Sequence, residues 1–205
     1  MASRASTGAR GMRRWLTVLV LLAASGFGAT STWGQSIGKG DFELTLAGAG
    51  GASLPKDNLD LETVTTVHVI PHVGYFVTDA IGPGALRGNL EILLEPTLIH
   101  LDATPSATVA GVAILPRWVF DASARVRPYL EAGAGIVGGQ VDLRQTNCDV
   151  NFLLQAGVGA MIFMTDRAAL TIGARLHHMS NADICSQNEG MNSIIGVVGF
   201  TYFLR

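Results

Sequence analysis

The sequence predicts an all-β fold: an eight-stranded antiparallel transmembrane β-barrel behind an N-terminal signal peptide. Three observations carry that expectation. Apolar and polar residues alternate with period two through eight segments of roughly ten residues each. The chain is 48% hydrophobic and only 15% charged, apolar for a soluble domain, yet beyond the leader no apolar run reaches the roughly 18 residues that a spanning helix needs. Glycine is abundant, with 25 residues, and Gly133, Gly135, Gly157, Gly159 and Gly173 fall on the polar side of the stripes, as a narrow barrel interior requires.

Residues 1–34 read as the signal peptide and residues 35–205 as the barrel. Arg13 and Arg14 form a basic start. Trp15 to Ala24 is an apolar core, too short to cross a bilayer and of the length a secretory signal uses. Small residues follow, from Ser25 to Ser31, and leave the cleavage site open. Export implies an oxidising compartment.

The stripes then follow in order. Phe42, Leu44 and Leu46 share a face against Glu43 and Thr45. Val67, Val69, Val73 and Tyr75 oppose Thr66, His68 and His72. Leu86, Leu90, Ile92, Leu94 and Leu98 oppose Arg87, Asn89, Glu91 and Glu95. Val112, Ile114 and Trp118 oppose Arg117; Leu130, Ala132, Ala134 and Ile136 oppose Arg127 and Glu131. Phe152, Leu154, Val158 and Ile162 oppose Gln155. The seventh stripe runs Leu170, Ile172, Ala174, Leu176, His178, and the eighth Ile194, Val198, Phe200, Tyr202, Leu204. In a membrane barrel the apolar faces meet lipid and the charged ones fill the lumen. Pro71, Pro96 and Pro116 each remove a ladder donor, so bulges or pairing breaks are expected there. Trp118, Phe120 and Tyr202 suit an interfacial belt.

Connections at Thr78–Gly84, Asp121–Val126 and Thr165–Arg167 read as short turns, those at Ala52–Glu62, Asp142–Asn151 and Asn181–Met191 as longer loops. Outer-membrane barrels keep the short turns periplasmic and the long loops outside. Cys148 and Cys185 then fall in adjacent outer loops, where either a disulfide or two free thiols is compatible with the sequence. Neither zinc spacing nor a C-x-x-C motif is present. Removing the leader's four arginines from the 14 basic residues leaves ten against 16 acidic ones, and no basic patch interleaved with aromatics points to nucleic acid. No metal or cofactor is expected; His68 and His72 share a lumen face without a third ligand.

The chemistry concentrates at the end of the seventh stripe. In a strand, His178 and Ser180 are one pleat apart on the same face, so a hydroxyl and a base sit together at the rim of the apolar surface. His177 lies in the interleaved set and faces the lumen. Asn192 has the parity of Ile194 and Val198 and is placed to meet His178. The run His178-Met179-Ser180-Asn181-Ala182, followed by Asn188, Gly190 and Ser193 before the last stripe, resembles the outer-membrane lipid A 3-O-deacylases.

That resemblance implies a location in the cell outer membrane and ester hydrolysis on lipid A, removing the 3-hydroxyacyl chain at position 3 of lipopolysaccharide in the outer leaflet. It implies Ser180 as nucleophile and His178 as base, with Asn181, Asn188 and Gly190 as oxyanion or supporting residues. One position departs from the pattern: Asn192 stands where a glutamate is expected, with Glu189 and Asp183 as nearby alternative acids in the loop, neither in register. A neutral amide can hold an imidazole tautomer but does not stabilise imidazolium by charge. The alternative reading is a non-catalytic outer-membrane barrel, an anchor or adhesion scaffold that keeps a degenerate site. The expected partner is lipid A; the oligomeric state is open, a homodimer included.

Overall fold

The computed structural model describes residues 36–56 and 61–204, so the signal peptide expected at 1–34 lies outside the described residues. Eight strands follow one another: β1 (Phe42–Ser53), β2 (Thr65–Phe76), β3 (Gly88–Asp102), β4 (Ala107–Phe120), β5 (Val126–Gly138), β6 (Val150–Phe163), β7 (Ala168–Ser180) and β8 (Met191–Leu204). Each pairs antiparallel with its sequence neighbour, and β1 pairs with β8, closing the sheet. Closure removes the open edges that a flat sheet of this length would expose. No helix among the described residues is long and apolar enough to cross a membrane.

The alternation sorts side chains between the two faces. β8 reads buried, exposed, buried, exposed from Met191 to Leu204. Leu46, Ile114, Leu154, Leu176 and Val198 are each more than half exposed, within a continuous outward apolar surface. In water such a surface would drive association; in a bilayer it is the surface that dissolves. The inward set holds Glu43, Glu91, Glu95, Glu131, Arg117 and Arg175, all buried. Arg117 Nε donates to Glu131 Oε2 at 2.9 Å and Nη1 to Glu43 Oε1 at 3.1 Å. Arg175 donates through both terminal nitrogens to Glu95, at 2.7 and 2.8 Å, and through Nε to Glu131. His72 Nε2 lies 3.0 Å from Glu43 Oε1. Shared carboxylates offset the desolvation of two guanidiniums that would otherwise be far too costly to bury. Gly159 and Gly173 leave room for the Tyr129 ring, which stacks under Arg117 with its centroid 4.4 Å from the guanidinium carbon.

The lumen is layered rather than uniformly polar, which differs from the expectation. Toward the loop end it is closed by Val64, Ile99, Leu101, Val109, Leu153, Met179 and Met191. Toward the other end Phe76, Val119, Met161, Phe163 and Phe203 close it. The ionic layer lies between two apolar plugs, so the interior is a packed core and not a pore.

The prolines behave as their chemistry requires. The β2–β3 ladder runs to Val69↔Leu98 and resumes at Val73↔Leu94, so Pro71 and Pro96 face each other across the gap. The β4–β5 ladder breaks between Ile114↔Ala134 and Arg117↔Glu131, at Pro116. Neither proline of a facing pair has an N–H to offer, so one break accommodates both.

Two expectations need correction. Leu86 and Arg87 are not part of a strand: Gly84–Leu86 forms a 3₁₀ turn, and Arg87 reaches Asp121 at 3.4 Å outside the lumen. The connection between β2 and β3 therefore spans 77–87 and is as long as the loop 54–64 at the opposite end, while 103–106 is short. Loop length distinguishes the two ends less cleanly than the sequence suggested. The end bearing 54–64, 103–106, 139–149 and 181–190 is called the outer end below.

Candidate active site

Strand β7 ends at Ser180, and its ladder with β8 pairs His178 with Asn192 and Met179 with Met191. A strand's period of two puts Leu170, Ile172, Leu176, His178 and Ser180 on the outward face, and His177 and Met179 in the lumen. His177 packs edge-on against His68, ring centroids 5.3 Å apart. His178 and Ser180 are half-buried at the outer rim of the apolar surface.

Asn192 sits directly across from His178, and its Oδ1 accepts a hydrogen bond from His178 Nδ1 at 2.8 Å. That bond leaves the ring's Nε2 without a hydrogen-bond partner among the described residues. Gly190 decides what lies beside it. Its φ is +68°, a left-handed conformation that costs an L-residue roughly 1–2 kcal/mol. A side chain starting there would meet His178 Cε1 at 3.0 Å, with His178 Nε2 and Ser180 Cβ each at 3.7 Å. Imidazole and serine thus border one small space that only glycine leaves open.

The neighbouring asparagines have different roles. Asn181 is fully buried: its Nδ2 donates to Thr146 Oγ1 at 3.0 Å and to the Gln187 carbonyl at 2.7 Å. Both amide hydrogens are committed, so neither is free to donate elsewhere. Its parity already carried the signal, since Asn181 falls in the alternate set of His177 and Met179. Asn188 accepts the Asn181 backbone N–H at 2.9 Å and donates to Asp183 Oδ1 at 2.9 Å, leaving one Nδ2 hydrogen uncommitted among the described residues. Ala182 and Asp183 both have positive φ, 52° and 62°, and Ile184 N–H closes the turn onto the Asn181 carbonyl at 3.1 Å. Strain of this kind in non-glycine residues recurs at functional sites.

The carboxylates of the loop are occupied elsewhere. Glu189 is paired with Lys56 at 2.9 Å, and Asp183 holds Asn188. Asn192, not Glu189, occupies Nδ1 of His178. Cys148 and Cys185 are joined in a disulfide, so loop 181–190 is tied to loop 139–149. Thr146 and Gln145, which sequence reasoning did not single out, make hydrogen bonds to the same loop.

Below His178 the outer wall is hollowed. A hollow of about 390 Å³ is lined by Leu54, Leu154, Ala156, Leu176, His178 and Asn192. It shares Ala156 and Leu176 with a second of about 480 Å³, lined further by Leu130, Val158, Ala174 and Ile194. Alanines set between leucines and valines on the outward face make the depression. Among the described residues no group of three or more His, Cys, Asp or Glu side chains could hold a metal.

Comparison with known proteins fits this arrangement. The crystal structure of the outer membrane enzyme PagL is similar, with a TM-score of 0.58 and 17% identity over 76% of this chain and 97% of that one. The Neisserial surface protein A barrel is similar too, with a TM-score of 0.55 and 18% identity over 80% and 99%. At these identities the likeness is one of fold. No curated protein sequence matches significantly. A family model, however, that of lipid A 3-O-deacylase (PagL), matches residues 24–201, most of the chain. The chain belongs to the lipid A 3-O-deacylase (PagL) family.

Proposed function

We propose that this chain, an outer-membrane barrel, removes the ester-linked 3-hydroxyacyl chain at position 3 of lipid A, with Ser180 as nucleophile and His178 as base. The observation that carries the reading is the His178–Asn192 hydrogen bond on the outward face, next to the space that Gly190 keeps open beside Ser180.

The chemistry follows from those contacts. A serine hydroxyl is a weak nucleophile until a base takes its proton. With Nδ1–H committed to Asn192, the lone pair of His178 is on Nε2, a ring nitrogen bordering the space at Gly190 that Ser180 also borders. Nε2 accepts the Ser180 proton as Oγ attacks the ester carbonyl. The free Nδ2 hydrogen of Asn188 donates to the oxyanion that develops, a contribution of roughly 3–4 kcal/mol per donor in other hydrolases. Imidazolium then protonates the departing sugar oxygen, and water, deprotonated by the same nitrogen, releases the acyl chain as a hydroxy acid. The hollows beneath His178 are apolar and open to lipid, so an acyl chain can lie along the wall while its ester reaches the rim.

Asn192 plays a narrower part than a carboxylate. It holds the productive tautomer, but its neutral amide adds no charge to stabilise the imidazolium. Turnover slower than that of a carboxylate triad is the expected consequence.

The test is a mass spectrum. Lipid A from a Gram-negative host expressing the chain should lose one hydroxyacyl group. Ser180→Ala and His178→Ala should each remove that activity, by roughly a thousandfold or more, while heat-modifiable gel mobility shows a folded barrel. Intact lipid A from cells holding folded wild-type barrel would instead leave the non-catalytic scaffold as the reading.

A further inference from the structure

The loop that carries Asn188 and Gly190 is not held by its own strands alone. The β7–β8 ladder ends at Met179↔Met191, and beyond it loop 181–190 rests on loop 139–149. Thr146 and Asn188 form an isolated antiparallel bridge. Gly190 N–H donates to the Gln145 carbonyl at 2.9 Å, and Gln187 N–H to Asn147 Oδ1 at 3.1 Å. The Cys148–Cys185 disulfide crosses the same contact.

A buried polar chain runs from that disulfide to the residue after Ser180. Asn151 Nδ2 donates to the Cys148 carbonyl at 2.8 Å. The Thr146 hydroxyl donates to Asn151 Oδ1 at 2.8 Å and accepts from Asn181 Nδ2 at 3.0 Å. Thr146, Asn151 and Asn181 are each 0% exposed. Buried hydrogen bonds of this kind are strong and directional, so the chain holds Asn181 and the turn that follows Ser180, and Asn188 through its bond from the Asn181 backbone N–H. The Gln145 carbonyl fixes Gly190, whose backbone shapes the space between His178 and Ser180. Displacements of about 1 Å at such a point can cost about a hundredfold in rate.

We infer that loop 139–149 is a positioning element of the hydrolytic site, latched by Cys148–Cys185, and that hydrolysis is fast only while the latch is oxidised. The inference rests on the proposed hydrolase reading for its kinetic consequence, but the latch itself is a property of the loops. The disulfide joins two loops and lies outside the β6–β7 ladder, which runs from Phe163↔Ala169 to Phe152↔Ser180. Reduction frees the loops and leaves the barrel. Thr146 acts through Asn181 and is a positioning residue, since its side-chain hydrogen bonds go to Asn151 and Asn181.

The experiment starts from folded wild-type protein in detergent. A water-soluble phosphine cleaves the S–S bond: two electrons and two protons make two thiols, and the phosphine becomes its oxide with oxygen from water. Lipid A hydrolysis is then followed before reduction, after reduction with thiols alkylated, and after reduction and re-oxidation. The expected result is a kcat lower by roughly 10- to 100-fold in the reduced, still heat-modifiable barrel, with KM changed by no more than about twofold. Re-oxidation restores it. Thr146→Val should show the same split, and Thr146→Ser, which keeps the hydroxyl, should retain most of the rate. Unchanged kcat in the reduced folded barrel and in Thr146→Val would overturn the inference. If oxidised wild type shows no turnover, the hydrolase reading fails instead. Hydrogen exchange at the Asn181 and Gly190 amides then decides the latch: protection lost on reduction supports it, and unchanged protection refutes it.

Discussion

The lumen and the outer rim both bring a histidine or arginine against side-chain oxygens, yet they serve opposite ends. In the ionic layer Arg117 reaches Glu43, Glu91 and Glu131, and Arg175 reaches Glu95, Glu131 and Gln155. Both guanidiniums are shut between apolar plugs. Charges so fully engaged have nothing left for a substrate, and their role is to make burial tolerable. At the rim, among the described residues, His178 makes one side-chain hydrogen bond, on Nδ1, and keeps the other nitrogen uncommitted near a half-buried serine. The difference is one of access: among the described residues the lumen also leaves Glu43 Oε2, Glu91 Oε1 and His72 Nδ1 without hydrogen-bond partners, but shut between apolar plugs, whereas the rim opens to the outside of the wall.

Substitutions should separate the two regions. The largest effect belongs to the lumen. Arg117→Leu removes the cation that Glu43, Glu91 and Glu131 share, leaving Glu131 to Arg175 and Glu43 to His72 but Glu91 without an ion pair among the described residues, and about 3–5 kcal/mol of stability should go. Urea titration of the barrel in detergent would read it, while the fraction that stays folded should hydrolyse at the wild-type rate. A lumen variant that kept full stability would break the contrast.

Gly190→Ala comes next and should do the reverse. Its methyl would press on the imidazole at 3.0 Å in a backbone conformation unsuited to alanine. The kcat is expected to drop by roughly 10- to 100-fold, with the unfolding free energy from urea titration lowered by no more than about 1–2 kcal/mol. Asn192→Glu sharpens the point from the other side. A carboxylate at Nδ1 of His178 adds the charge that the amide lacks, and deacylation should rise, by about tenfold at most. A clear loss in that variant would remove Asn192 from the third position of the site. The smallest effect is Lys56→Ala. The Lys56–Glu189 pair is nearly half-exposed on both sides, so its removal should cost no more than about 1 kcal/mol and change the hydrolysis rate less than Gly190→Ala does.

Much of this was legible before any coordinate. Parity assigned His178, Ser180 and Asn192 to one side of the wall and His177, Glu131 and Arg175 to the other. A membrane barrel leaves no other way to bury one face and wet the other. Parity also marked Asn181 as inward, although its place in the motif suggested an oxyanion donor. The apolar plugs were not legible. Met179, Leu153 and Phe203 are inward by alternation, but only their clustering at the barrel ends reveals that they close the lumen. Each proline announced a pairing break, and only the register put Pro71 opposite Pro96.

The sequence by itself determined the strand count, the two faces and the identity of the motif, because a period of two and a short motif are local properties of the chain. Tertiary structure decided the pairing of Cys148 with Cys185, the engagement of Glu189 by Lys56, the burial of Asn181 under Thr146 and the opening that Gly190 leaves beside His178. Those contacts join residues far apart in the chain, and their geometry exists only once closure of the sheet brings the outer loops together.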